Sequence, residues 1–240
     1  MKIKLMLSSL VFILFVTTGC AQNYGKVKGN GKVINETRNV GNFDQLGVSG
    51  SFDVFLVKGN EGKIDIKTEE NLLPYLVTKV ENGKLKIRWK KGTSIRTTKS
   101  TQVTVYFKDI NGISVSGSSD IVAKDKIRSN EFTASVSGSG DIEFEIETDH
   151  LTASVSGSGD LDISGSAKNI TASVAGSGDI DAYGLKADSA DLKISGSGGM
   201  TITVEKELKV RVSGSGDIKY KGNPKIEDFK VSGSGNVSSY

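Results

Sequence analysis

From Ile113 onward, apolar residues take every other position, and a short Ser-Gly phrase interrupts the alternation at regular intervals. The phrase reads Ser116-Gly117-Ser118-Ser119-Asp120, then Ser137-Gly138-Ser139-Gly140-Asp141 and Ser156-Gly157-Ser158-Gly159-Asp160. It returns as Ala175-Gly176-Ser177-Gly178-Asp179, Ser195-Gly196-Ser197-Gly198-Gly199, Ser213-Gly214-Ser215-Gly216-Asp217 and Ser232-Gly233-Ser234-Gly235-Asn236. The first glycines are spaced by 21, 19, 19, 20, 18 and 19 residues. With each of them set to zero, offset −2 holds Val115, Val136, Val155, Val174, Ile194, Val212 and Val231. Offset +4 holds Ile121, Ile142, Leu161, Ile180, Met200, Ile218 and Val237, while the odd offsets are mostly Ser, Thr, Asp, Glu and Lys. A flexible Gly/Ser linker has no reason to keep such alternation, whereas a strand with one buried face requires it.

Each unit is therefore predicted to be a strand, a Gly/Ser corner, a second strand and a shorter turn. Two short strands cannot bury a face alone, and a period near 20 residues implies stacking of like on like. The predicted fold is an all-β solenoid, a single-stranded β-helix taken as right-handed, with coils of about 19–20 residues. At about 4.8 Å per coil, seven coils make a rod on the order of 35 Å long. The structural corner is assigned to Gly138, Gly157, Gly176, Gly196, Gly214 and Gly233. These glycines and those two residues later share the parity of the apolar positions, so both are expected to face inward. A side chain there would collide with the stacked copies or demand φ > 0, which glycine adopts readily.

The same grammar occurs once earlier. Leu46, Val48, Gly50, Val54 and Leu56 sit at the equivalent offsets and predict a first coil. The insert at about 58–111 alternates Leu85, Ile87 and Trp89 with Lys84, Lys86 and Arg88, and Asn82-Gly83 is a two-residue hairpin signal. Glu70 to Tyr75 suggests one helical turn broken by Pro74. The insert is expected to pack on the solenoid and cap its open end.

Residues 1–19 read as a secretory signal: Lys2 and Lys4, an apolar run from Leu5 to Val16, then Thr17-Thr18-Gly19-Cys20. The run is too short to span a bilayer, which takes about 20 residues. A small residue before the sole cysteine, just after that run, marks Cys20 as the lipidation site. The alternatives are a free thiol, an intermolecular bridge, or plain cleavage after Ala21. Acyl chains on Cys20 would anchor an exported protein to the cell envelope, with the outer membrane expected, and would make the membrane its first partner. Residues 20–37 are read as a lipidated tether and 38–240 as the domain. The full chain carries +3, and removing Lys2 and Lys4 leaves 3 − 2 = +1. That near-neutral balance excludes a general nucleic-acid binder.

The repeat series, together with Arg38-Asn39-Val40, Phe43, Leu46-Gly47-Val48-Ser49-Gly50, Asp53-Val54, Glu70-Asn71-Leu72-Leu73 and Asn82-Gly83-Lys84-Leu85, resembles the head GIN domain family over about residues 38–237. The family is described as auto-transporter adhesins and is common in Bacteroidota lipoproteins. The resemblance implies a β-helical fold and export. It implies no established activity, and adhesion enters by analogy.

Candidate chemistry is sparse, and no cofactor is expected. Asp120, Asp141, Asp160, Asp179 and Asp217 would form an outward row. Stacked like charges repel, so either calcium neutralises them, with serine and carbonyl oxygens nearby, or each carboxylate accepts backbone N–H groups at its bend. Lys84, Lys86, Arg88 and Lys90 share one strand parity in a run, 84–99, that holds no acid. They would bind an anionic glycan or headgroup, or else guard a sheet edge. The single histidine, His150, falls in a turn with no partner nucleophile or acid repeating near it. The first functional expectation is a non-catalytic envelope interaction module whose partner is a glycan or an envelope protein. The others are a carbohydrate-active β-helix enzyme, which needs carboxylates gathered in one groove, and a tethered ligand sensor with a pocket where insert meets solenoid.

Overall fold

A computed structural model of the chain describes residues 25–240, so the signal at 1–19 and Cys20 lie outside the described residues. Its strands are β1 (Gly25–Lys28), β2 (Val33–Asn39), β3 (Gln45–Gly50), β4 (Asp53–Lys58), β5 (Lys63–Glu69), β6 (Leu76–Glu81), β7 (Lys84–Trp89), β8 (Thr93–Arg96), β9 (Gln102–Phe107) and β10 (Gly112–Gly117). They continue as β11 (Asp120–Ala123), β12 (Ile127–Gly138), β13 (Ile142–Gly157), β14 (Leu161–Gly176), β15 (Ile180–Gly196), β16 (Met200–Gly214), β17 (Ile218–Lys221), β18 (Ile226–Gly233) and β19 (Val237–Ser239).

The repeat strands form a β-solenoid in which parallel register puts like on like. Val136, Val155, Val174, Ile194, Val212 and Val231 form one column, and the first glycines form another. Short apolar faces from successive coils thereby merge into one continuous core.

The corner explains both glycines, though not in the same way. Gly157 takes φ 133, and a Cβ there would strike the backbone of Gly138 in the preceding coil. The expected inward orientation of this first glycine is corrected: Gly138, Gly157 and Gly176 are half-exposed, and the obstacle is the neighbouring backbone along the stack. The second glycine is the buried one. A Cβ on Gly159 would meet the Gly140 carbonyl and lie 2.9 Å from Val136 Cγ1. That tight approach lets the Gly138 carbonyl accept N–H groups from Ser158 at 2.8 Å and Gly159 at 3.1 Å, and the pattern repeats up the stack.

The insert does more than cap. Strand β7 lies parallel on β3, with Leu46 opposite Leu85 and Val48 opposite Ile87. Strand β9 lies parallel on β4, with Val54 opposite Val103. The insert thus supplies a further coil on the side of the first coil facing away from β10 and β11. Beyond that coil the pairing turns antiparallel, β6 on β7, β5 on β9 and β2 on β5, and this closes the end. The Asn82-Gly83 hairpin forms as expected, with φ 52 and φ 75. Leu73–Tyr75 is a 3₁₀ turn, and Pro74 sits in its first positions, where no N–H donor is needed, rather than breaking it.

This terminal coil makes no Ser-Gly corner. Its connection, 90–101, runs out through β8 instead. Phe52, standing where later coils have the second glycine, is buried against Trp89 with ring centroids 4.9 Å apart. Strand β8 pairs in parallel with β1, Lys26 opposite Ser94 and Lys28 opposite Arg96. The stretch 20–37 read as a tether therefore contains β1 and most of β2, because the polar Gly/Asn-rich composition concealed two strands held by pairing.

Candidate functional site

Odd offsets before the corner face solvent and stack into columns. One column runs Gly47, Ser114, Ser135, Ser154, Ser173. Beside it stand Ser49, Ser116, Ser137, Ser156, Ala175, and on the other side Gln45, Gly112, Thr133, Thr152, Thr171. With strands about 4.8 Å apart and alternate residues about 6.7 Å apart, this is a flat lattice of short, mostly hydroxyl side chains. The middle column then continues from Ser173 into Lys193, Arg211 and Lys230. There it borders a groove of about 430 Å³. At the opposite end the columns run into Lys84, Lys86 and Arg88 on β7, and β6 extends them with Glu81, Lys79 and Val77. The face is thus a small-residue floor between two ends of net positive charge, the second partly offset because Lys193 pairs with Asp191 and Arg211 with Asp228 in the adjacent column. The sequence reading missed the second end, although offset −3 of the last three repeats carried the signal.

The structure keeps Lys84, Lys86 and Arg88 together on the outer face of β7 and places Lys90 just beyond the strand. Edge protection is corrected as their explanation, because β7 is an interior strand between β3 and β6. Glu81 offsets part of the charge, receiving Lys86 Nζ at 2.7 Å and Lys79 Nζ at 3.3 Å. Hydrogen bonds from Lys86 first, then Lys79, hold the Glu81 carboxyl below its usual range.

The aspartate row is exposed, as expected, and its carboxylates bond along the stack. Oδ1 of Asp120 accepts the Asp141 N–H at 3.0 Å, Asp141 that of Asp160 at 2.9 Å, and Asp160 that of Asp179 at 2.8 Å. Asp179 accepts from Gly199 and Asp217 from Asn236, so the ladder breaks only where Gly199 has no carboxylate. The backbone partner expected at each bend is supplied by the next coil rather than the same one. Among the described residues, no three His, Cys, Asp or Glu side chains are grouped to hold a metal ion. A neighbouring outward column stacks Glu143, Asp162 and Asp181. Partial burial first, then those two neighbours, pushes the Asp162 carboxyl up. His150 is exposed, with its Nδ1 3.4 Å from Asn169 Nδ2.

Where the antiparallel strands meet the solenoid, the outer faces of β4, β9, β5 and β2 form a cavity of about 430 Å³. Phe55, Thr104, Asp65 and Thr37 cross it in register, with Gln102, Lys67 and Asn35 in the next row. Asp65 accepts Thr37 Oγ1 at 2.6 Å and Tyr106 Oη at 2.8 Å, and these two bonds lower its carboxyl. Glu36, also on the cavity wall, pairs with Arg38 Nε at 2.6 Å. Both acids are committed to neighbours, so the cavity does not present the free carboxylate pair that a glycosidase mechanism requires.

One buried acid went unnoticed in the sequence. Glu69 is fully buried and accepts N–H from Gly31 at 2.6 Å, Thr98 at 2.8 Å and Lys99 at 3.3 Å, plus Thr98 Oγ1 at 2.6 Å. Burial opposes the charge, yet these bonds prevail and bring the carboxyl down to about 2. Glu69 thereby clasps the 90–101 connection and the β1–β2 loop to the cap. Its alternation within β5 gives no hint of this, because the donors are backbone groups of distant loops.

A family profile described as "Putative auto-transporter adhesin, head GIN domain" matches residues 42–224. The chain belongs to the head GIN domain family. In this head GIN domain the profile takes in the insert's coil and the repeats through β17, leaving β1 and β2 ahead of it. A crystal structure of a putative adhesin from Bacteroides fragilis NCTC 9343 superimposes with TM-score 0.82 at 22% identity, covering 89% of this chain and 100% of that one. A putative lipid binding protein from Parabacteroides distasonis ATCC 8503 gives TM-score 0.74 at 26% identity, covering 90% and 99%. A putative adhesin from Parabacteroides merdae ATCC 43184 gives 0.72 at 25%, with the same coverage. No curated protein matches this head GIN chain.

Proposed function

We propose that this head GIN domain is a non-catalytic, adhesin-like module of the cell envelope, held at a membrane by acyl chains on Cys20. In this reading it engages a glycan or an envelope protein through its flat hydroxyl face. The observation that carries the proposal is the lattice of Ser114, Ser135, Ser154 and Ser173 with their flanking Ser and Thr columns, bounded at both ends by cations. Repeat proteins use such extended faces as binding surfaces. A floor of short side chains lets a partner approach closely, and the cationic ends favour one that carries negative charge.

The test grafts bulk onto the floor. Ser135→Tyr with Ser173→Tyr, two strands apart on the floor, should abolish adhesion of cells displaying the protein while leaving its melting temperature unchanged. Adhesion equal to that of the parent would overturn the reading. Release of the protein from the membrane fraction by Cys20→Ala, together with loss of metabolic acyl labelling, tests the anchor separately. Lys86→Glu with Arg88→Glu should weaken binding to polyanionic glycans.

A further inference from the structure

Paired and unpaired cations both occur on the surface. Along the solenoid Lys126, Lys168, Lys206 and Lys209 pair with Glu145, Asp149, Asp188 and Glu207, while Lys219, Lys221, Lys225 and Lys230 are exposed and make no ion pair among the described residues. On the β1–β8 ribbon, Lys26, Lys28 and Arg96 lie on one exposed face, and among the described residues none of them makes an ion pair. The connection that carries β8 adds Lys90, Lys91 and Lys99 and contributes no acid. The ribbon's other side, Val27 and Ile95, is half-buried.

This cationic face is held in place. Gly29 N–H donates to the Arg96 carbonyl at 2.9 Å, and Asn71 Nδ2 donates to the Lys28 carbonyl at 2.8 Å. The Glu69 carboxylate secures Gly31, Thr98 and Lys99 on either side of it. Its position along the chain is also fixed. Four residues separate Cys20 from Gly25, and the five Cα-to-Cα steps between them span at most about 18 Å. An acyl anchor on Cys20 therefore keeps the start of the ribbon, at Gly25, within about two Debye lengths of the bilayer surface.

We propose that the β1–β8 ribbon is a membrane-docking face that seats Lys26, Lys28 and Arg96 on anionic phospholipid headgroups. The ribbon's place next to the bilayer rests on the reading of Cys20 as the anchor; the electrostatic attraction does not. Two weak signals acting together give durable membrane attachment where one does not. Docking sets the domain with its capped end on the membrane and its repeat coils leading away, so the hydroxyl face stands clear of the lipid.

The experiment uses the exported chain carrying Cys20→Ser, so that no acyl chain contributes, and measures co-flotation with vesicles. Phosphatidylcholine vesicles containing phosphatidylglycerol should retain the protein at low salt, and pure phosphatidylcholine vesicles should not. Each cation in the headgroup layer strengthens partitioning about fivefold, so Lys26→Gln, Lys28→Gln and Arg96→Gln together should weaken it about a hundredfold. Lys219→Gln with Lys225→Gln, exposed lysines of the far coils, should leave it unchanged. Both variants should melt with the parent. Equal partitioning onto the two vesicle types, or parent-like flotation of the triple variant, overturns the proposal. So does binding to a soluble sulfated glycan without binding to vesicles. Because the protein is unlipidated in this assay, failure here leaves the Cys20 anchor standing, and failure of acyl labelling leaves the docking result standing.

Discussion

Replacing Glu69 by glutamine preserves the shape of the clasp and removes its charge. The parent carboxylate accepts from three backbone N–H groups and one hydroxyl while fully buried, and it lies at about 2 against an ordinary 4.5. At about 1.4 kcal/mol per pH unit, that separation sets an upper bound of about 3 kcal/mol of folded-state stabilisation at neutral pH. The amide keeps one acceptor oxygen but turns an NH₂ toward donors, leaving a buried N–H without a partner, so the expected loss is about 2–3 kcal/mol. For a domain of this size, that lowers the melting temperature by about 4–12 °C. If the clasp opens independently of the core, the same loss appears as faster amide exchange at Gly31, Thr98 and Lys99.

The pH dependence has a definite sign. The folded-state value is depressed, so the contribution is present above about 4.5 and fades as pH falls toward about 2. The gap between parent and Glu69→Gln should therefore be constant near neutrality and narrow across that interval. Two outcomes would refute the reasoning. One is an unchanged melting temperature with unchanged exchange at the three amides. The other is a gap that persists undiminished at the acid end.

Other outcomes follow from the corner and the ladder. Gly159→Ala would press a methyl against the Gly140 carbonyl and to 2.9 Å from Val136 Cγ1. It should cost about 3 kcal/mol, measured by denaturant unfolding. Gly199→Asn restores the missing acceptor for the Asp217 N–H, needs Asp179 Oδ1 to yield only slightly from 3.3 Å, and should stabilise by about 1 kcal/mol. Millimolar calcium should shift neither the melting temperature nor a calorimetric trace, because each ladder carboxylate already uses Oδ1 on a neighbouring coil's N–H.

The solenoid was legible because its determinant is local and periodic. Val136, Val155 and Val174 share an offset, and a shared offset becomes a stacked column. The first coil at Gly50 and the Asn82-Gly83 hairpin were legible for the same reason. The insert's place in the stack was not, since Leu85 and Ile87 give the same alternation whether they cap a rod or extend it. Only pairing with Leu46 and Val48 distinguishes the two. Strands β1 and β2 were missed because their partners, β8 and β5, are remote in sequence. The small-residue floor was visible as a serine ladder, whereas the Glu69 clasp depends on distant backbone donors that no side-chain pattern encodes.

The order of the stack also governs assembly. The coil made of β3 and β4 is synthesised first, yet its neighbours on both sides, β7 with β9 and β10 with β11, emerge later. An emerging chain must therefore hold two open edges in waiting. The downstream coils, by contrast, each find a template about one turn back. Closure of loops that short is fast, and nearest-neighbour stacking propagates readily. The repeats are thus placed to nucleate, and the earliest-made segment is recruited onto them late. Pulsed hydrogen exchange should accordingly protect the amides of Val155 and Val174 before those of Val48 and Val54.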